Sequence, residues 1–177
     1  SNQMHNYESG DILDSSSKVE FFVEEKNREY KKYVDGSVIT YSVHQSVASV
    51  NKFGHSWAWP AEGTLTAIFN PSKGQNGIDI IGISDSDVRA VSDGEVVYAG
   101  NGLRGYGLLL IIKHDDNFLS AYAHTDSVLV KEGDKVKMSQ LIAKMGSSDS
   151  ENIRLHFEIR KNGEPVNPLE FMPLLEN

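Results

Sequence analysis

Three short segments of this chain carry residues that bind metals or move protons, alongside residues that do neither. The segments are Gln75-Asn76-Gly77-Ile78-Asp79, Ala121-Tyr122-Ala123-His124 and Arg154-Leu155-His156-Phe157-Glu158. A catalytic zinc ion needs three ligands of the His, Asp, Glu or Cys type and an open position for water. Asp79, His124 and His156 are of that kind. Gln75 offers only a neutral amide, and Arg154 a permanent cation that cannot act as a base. Taken singly, His124 and His156 also read as polar residues with a structural hydrogen bond.

Short strands must position these side chains. In Ile153–Arg160, Ile153, Leu155, Phe157 and Ile159 alternate with Arg154, His156, Glu158 and Arg160, so one face is apolar and the other polar. Upstream, Phe118, Ser120, Tyr122 and His124 share a face by the same rule. Two polar strand faces bearing histidine are expected to converge on one cleft.

From Trp57 onward the chain is a series of such strands. They are expected at Leu65–Phe69, Val88–Val91, Glu95–Ala99, Leu108–Lys113, Leu119–Ala123, Ser127–Val130, Leu141–Lys144 and Ile153–Arg160. Asp93-Gly94, Asn101-Gly102, Asp115-Asp116-Asn117, Glu132-Gly133-Asp134 and Asn162-Gly163 mark the turns between them. With no amphipathic helix among them, they predict an antiparallel all-β domain over residues 57–177. Residues 1–56 read differently. After a polar tail, Ser17-Lys18-Val19-Glu20 has the form of a capping box. Val19, Phe22, Val23, Tyr30, Tyr33 and Val34 then recur at near-helical spacing, and Asp35-Gly36 would end that helix. Val38 to Val50 reads as an extended linker or an edge strand.

Composition excludes several functions. The 177 residues carry a net charge of −8, which argues against nucleic acid or an anionic membrane as main partner. No cysteine is present, so thiolate chemistry and disulfides are absent. No apolar run of about 18 residues occurs, and no signal peptide opens the chain. Ser1-Asn2 reads as the remainder of a cleaved tag, so an export signal or lipid anchor is expected upstream in the natural protein. Gly100-Asn101-Gly102-Leu103-Arg104-Gly105-Tyr106-Gly107 superficially matches a dinucleotide fingerprint. It lies between two β segments rather than opening a helix, and is rejected as one. His114, before Asp115-Asp116, reads as a surface turn residue, and His5, His44 and His55 have no evident partners.

The three segments resemble zinc endopeptidases of the LytM type, peptidase family M23. That family carries His-x-Gly-x-Asp, Tyr-x-His and His-x-His at these places. The likeness runs from Trp59-Pro60 to Pro173 and includes Ala90-Val91-Ser92-Asp93-Gly94-Glu95-Val96, Gly133-Asp134-Lys135-Val136 and Val166-Asn167-Pro168. It implies that Gln75, Asp79 and His156 stand at the metal-ligand positions, with Gln75 replacing a histidine. It implies a proton-handling role for His124, and that Arg154 replaces a second catalytic histidine. Losing one ligand of three removes several kcal/mol from zinc affinities of about 10–16 kcal/mol. Losing the proton-transfer group costs about 10²–10⁴-fold in rate.

The expectation is therefore a metal-free pseudoenzyme. Degenerate members of this family activate periplasmic N-acetylmuramyl-L-alanine amidases during daughter-cell separation. The resemblance thus implies an amidase and peptidoglycan as partners, and a periplasmic, outer-membrane-anchored location. The expected contact surface is a groove of Gln75, Asp79, Arg104, Tyr106, Tyr122, His124, Arg154 and His156. The rival is an active zinc endopeptidase, in which His55 or Gln75 must supply the third ligand. A biotinyl or lipoyl carrier would need a modifiable hairpin lysine; Lys137 is the one candidate and lies in the wrong segment.

Overall fold

A computed structural model describes residues 57–115 and 117–173, together with three strands nearer the N-terminus. These are β1 (Glu20–Glu24), β2 (Glu29–Val34) and β3 (Ser37–Tyr41), paired antiparallel in the order β1-β2-β3. They overturn the helix expected after Ser17. The register sets Val23 opposite Tyr30 and Phe21 opposite Lys32. The Phe, Val and Tyr residues that seemed spaced for a helix favour a pleated surface as well, and pairing decides between the two. Val34 of β2 pairs with Ser37 of β3; Asp35-Gly36, expected to stop the helix, lies outside the described residues. The rest of the expected linker, with His44 and His55, lies outside the described residues, as does His5.

The second sheet contains ten strands. They are β4 (Thr64–Ala67), β5 (Ile78–Ile81), β6 (Asp87–Arg89), β7 (Gly94–Gly100), β8 (Leu108–Lys113), β9 (Phe118–Val128), β10 (Lys135–Val136), β11 (Leu141–Met145), β12 (Leu155–Lys161) and β13 (Glu164–Val166). The main path runs β10-β7-β8-β9-β12-β5-β4, with β11 joining β9 to β6 and β13 pairing with β12. Every pairing is antiparallel, as the close spacing of strands and turns requires. The antiparallel all-β architecture is thus observed.

Several strands differ from expectation, the short β10 and β13 among those not anticipated. The segments at Leu119–Ala123 and Ser127–Val130 are one eleven-residue strand, β9. β5 was not anticipated, because Gly77-Ile78-Asp79-Ile80-Ile81 is short and follows a glycine. Gly77 is required there: a Cβ would stand 2.1 Å from the Phe157 carbonyl oxygen, so only glycine lets β5 enter beside β12.

The core lies on one side of this sheet. Leu155, Phe157 and Ile159 of β12 have no exposed surface and pack with Ile78, Ile80, Tyr122, Val88, Ile142 and Trp59. Each such side chain contributes about 1.5–3 kcal/mol by leaving water. The cross-strand pairs Leu155–Ile80 and Phe157–Ile78 fix the register of β12 against β5. Because side chains alternate, that register places the residue between them, His156, directly opposite Asp79 on the other face.

Candidate functional site

The groove is built around the His156–Asp79 pair. His156 Nδ1 lies 2.7 Å from Asp79 Oδ1, and its Nε2 lies 2.7 Å from Glu158 Oε2. Both carboxylates accept, so both ring nitrogens donate and the ring is an imidazolium. Burial works against that charge, but the two carboxylate hydrogen bonds and their negative charges win, raising the His156 pKa to about 9. Glu158 and Asp79 are correspondingly held below the usual carboxylate range despite their own burial.

Arg154 closes the other side. It precedes β12, where its N–H donates to the Gly146 carbonyl at 3.0 Å, and alternation aims its side chain into the groove. Its Nη1 lies 2.8 Å from Asp79 Oδ2, and its Nη2 lies 3.4 Å from His124 Nε2. Gln75 Nε2 donates to the Gly77 carbonyl at 3.1 Å and to Asp79 Oδ1 at 3.4 Å. One buried carboxylate therefore answers a guanidinium, an imidazolium and an amide.

His124 reaches this cluster by an exception. Strict alternation along β9 would leave it on the core face with Tyr122. Its φ of 61° turns the chain instead and carries the ring to the groove side, 6.3 Å between centroids from His156. A left-handed non-glycine residue costs about 1–3 kcal/mol. Backbone and ring contacts hold it there: its N–H donates to the Tyr106 carbonyl at 2.9 Å and Nδ1 to the Ser148 carbonyl at 2.8 Å. The Ser148 carbonyl comes close enough because residue 107 is glycine; a Cβ there would lie 2.2 Å from it. Burial, then the nearby Arg154 and His156 charges, keep the His124 pKa below its ordinary value, so its Nε2 stays available as an acceptor.

Of the eight residues expected to form the groove, Gln75, Asp79, His124, Arg154 and His156 meet directly, and Tyr106 joins through Glu158 at 3.0 Å. Tyr122 does not. It is fully buried on the core face, its hydroxyl accepting from the Val91 N–H at 3.1 Å. The expectation that it shares a groove face with His124 is corrected: the turn at His124 divides them. Arg104 is exposed on the β7–β8 loop, and it makes no hydrogen bond or ion pair among the described residues.

Glu158 and Arg160 were absent from the expected set, although the alternation of β12 had put them on the right face. Arg160 Nε and Nη2 donate to Glu158 Oε1 at 3.0 and 2.8 Å. His114 is likewise more than a surface turn residue. Its Nδ1 lies 2.7 Å from the Asp93 carbonyl oxygen and its Nε2 2.7 Å from Ser120 Oγ, beneath the Trp57 ring. Beyond Gly100, which ends β7, residues 101–107 form the loop to β8, as the rejection of this segment as a nucleotide site required.

A family model described as peptidase family M23 matches residues 73–168, more than half of the chain. The chain belongs to peptidase family M23. Over 119 residues it is 55% identical to "Murein hydrolase activator NlpD" of Escherichia coli K12, covering 67% of this chain and 31% of that protein. It is 53% identical over 118 residues to "Lipoprotein NlpD/LppB homolog" of Pseudomonas aeruginosa, covering 66% of this chain and 40% of that protein. The chain thus spans well under half the length of these relatives. Among solved structures, the catalytic domain of the antimicrobial peptidase lysostaphin from Staphylococcus simulans aligns with a TM-score of 0.52 and 30% identity. That alignment covers 54% of this chain and 77% of the other.

A zinc ion, which the M23 family implies, does not fit this donor set. Both nitrogens of His156 are committed to carboxylates, and a protonated imidazole has no lone pair for a metal. Asp79 Oδ1 and Oδ2 are both engaged, and the Gln75 amide nitrogen, not its oxygen, faces the cluster. The Arg154 guanidinium adds a fixed positive charge where a cation would sit beside Asp79. Among the described residues, no three His, Asp or Glu side chains are arranged to hold a metal ion together.

Proposed function

We propose that this chain is a non-catalytic member of peptidase family M23 that activates a cell-wall amidase, using the former catalytic groove as its contact surface. The supporting observation is the Arg154–Asp79 ion pair at 2.8 Å beside a doubly committed His156. That arrangement occupies both metal-binding candidates, and it sets the Arg154 guanidinium against the one neutral imidazole, His124, at 3.4 Å. It does preserve a rigid, polar, partly charged groove that can hold a segment of another protein. An activator need only bind the open form of its target better than the closed one. A difference of about 3 kcal/mol shifts that balance about 150-fold. The names of the relatives, a murein hydrolase activator and a lipoprotein homologue, support this role and a lipid-anchored place in the cell envelope, which we take to be the periplasmic face of the outer membrane. We further propose that residues 57–177 form the activating domain, and that peptidoglycan is the shared substrate of the assembly.

The test is reconstitution. The protein, candidate amidases and peptidoglycan are combined, each alone serving as control, and soluble wall fragments are measured. Release is expected only when amidase and activator are both present. Release by this protein alone, with stoichiometric zinc found by metal analysis, would sink the reading in favour of an endopeptidase. In that case a residue outside the described region, such as His55, would have to supply the third ligand.

A further inference from the structure

The groove face carries an apolar feature that the polar cluster does not use. An antiparallel sheet with one face on the core ordinarily presents polar side chains on the other. β8 does not: in Leu108-Leu109-Leu110-Ile111-Ile112, Leu110 and Ile112 fill the core while Leu109 and Ile111 point to the groove side. There they meet Leu119 and Ala121 of β9, with Tyr106 and Leu103 from the β7–β8 loop, around a cavity of about 130 Å³. Glu158 and Arg160 close its polar end. Leu103 is 46% exposed at the rim.

The cavity wall is preformed. Gly102 N–H donates to the Tyr98 hydroxyl at 2.9 Å, Gly105 N–H to Asp149 Oδ2 at 3.0 Å, and the Tyr106 carbonyl receives His124 N–H. A loop held at three points presents its apolar side chains without an ordering cost on binding.

The polar end identifies the charge of the occupant. Glu158 has no spare capacity for a cation: Oε1 takes two bonds from Arg160, and Oε2 takes His156 and Tyr106. Arg160 uses three of its five donor hydrogens, on Glu158 and the Gly163 carbonyl. The hydrogens left over belong to Nη1 and Nη2, the fork that matches a carboxylate. Arg104, next to Leu103 in the chain, is exposed and gives this loop a guanidinium of its own on a chain of net charge −8.

We propose that this pocket is an anchoring subsite for a protein segment presenting an aliphatic side chain next to an Asp or Glu. The aliphatic group fills the space between Leu103, Tyr106, Ile111 and Leu119, and the carboxylate meets the outer edge of Arg160. This deepens the activator reading by naming what the partner's docking segment carries.

The experiment uses an array of twelve-residue peptides pairing Leu or Ile with Glu, against otherwise identical peptides with Lys for Glu or Ser for Leu. The whole chain is applied as wild type, Leu103→Asp and Arg160→Gln. Wild type should retain the Leu–Glu set at least tenfold above both control sets. Leu103→Asp should lose that signal, and Arg160→Gln should lose the preference for Glu over Lys. Equal retention of all sets, or none, overturns the pocket. So does a concentration-dependent dimer that Leu103→Asp dissociates in sedimentation, because the occupant is then a second copy. The same variants in the amidase assay separate the two ideas: activation unchanged by Leu103→Asp removes the pocket and leaves the activator role standing. Peptide selectivity without activation of any amidase does the reverse.

Discussion

His156 and His114 both have two satisfied ring nitrogens, yet they are held in opposite charge states. His156 lies between the carboxylates of Asp79 and Glu158 and is kept protonated. His114 lies between a carbonyl and a hydroxyl. Burial there outweighs its hydrogen bond to Asp93 and keeps the pKa below the ordinary value. From His114 the contacts continue through Ser120 Oγ to the Tyr122 hydroxyl at 2.9 Å and to the Val91 N–H at 3.1 Å. Every acceptor on that path is neutral, and the path ties the β7 turn to the core. The difference teaches that hydrogen-bond count does not separate a structural histidine from one in the charged groove cluster. The charge of the acceptors does.

The largest expected effect breaks the groove side. Asp79→Asn leaves Arg154 and His156 as neighbouring cations with no buried anion between them, a loss of about 3–5 kcal/mol. Urea denaturation measures it, and the His156 ring should then titrate well below 9 by NMR. A native-like midpoint would mean that the cluster is not held by charge.

pH should separate the two histidines further. The His156 pKa is raised from an unfolded value near 6.5 to about 9, so its contribution is complete below pH 6.5 and is lost as pH rises through about 9. The shift corresponds to stability on the order of 3 kcal/mol, shared with Asp79 and Glu158 rather than added to theirs. His156→Gln should flatten the alkaline limb of a stability–pH curve measured by thermal unfolding.

On the structural side the effects are smaller. Tyr122→Phe removes the hydroxyl that the Val91 N–H and Ser120 share, at about 1–3 kcal/mol. Amidase activation should remain unchanged at temperatures where the variant is folded. Smallest is the acid limb. A histidine with a lowered folded pKa stabilises the protein above its unfolded value and loses that contribution as pH falls through about 6.5. His114→Asn should therefore reduce the stability lost between pH 7 and pH 5. An unchanged acid limb would place the sensitivity elsewhere.

Much of this site was legible in the chain. The alternation in β12 separated Leu155, Phe157 and Ile159 from Arg154, His156 and Glu158, because a strand's period of two is set by its backbone. Gln75 and Arg154 stood out only against the family's motifs, as an amide and a guanidinium at places where those motifs carry histidine. Less legible were β5, which is short and sits between the preceding strand β4 and the distant β12, over seventy residues away, and the N-terminal strands, where apolar spacing served helix and strand alike. Tyr122 was misplaced because alternation was extended through His124, and nothing local signals a positive φ at a histidine.

By itself the sequence determined which side chains are offered to the groove and which charges they carry, since both follow from residue type and strand periodicity. Only the tertiary structure decided what those charges do. The register of β12 against β5 sets Asp79 opposite His156, the left-handed turn at His124 brings its ring across, and Arg154 completes the cluster. Protonation and ion pairing depend on distances of a few ångströms between distant segments. Those distances exist only once the sheet has formed.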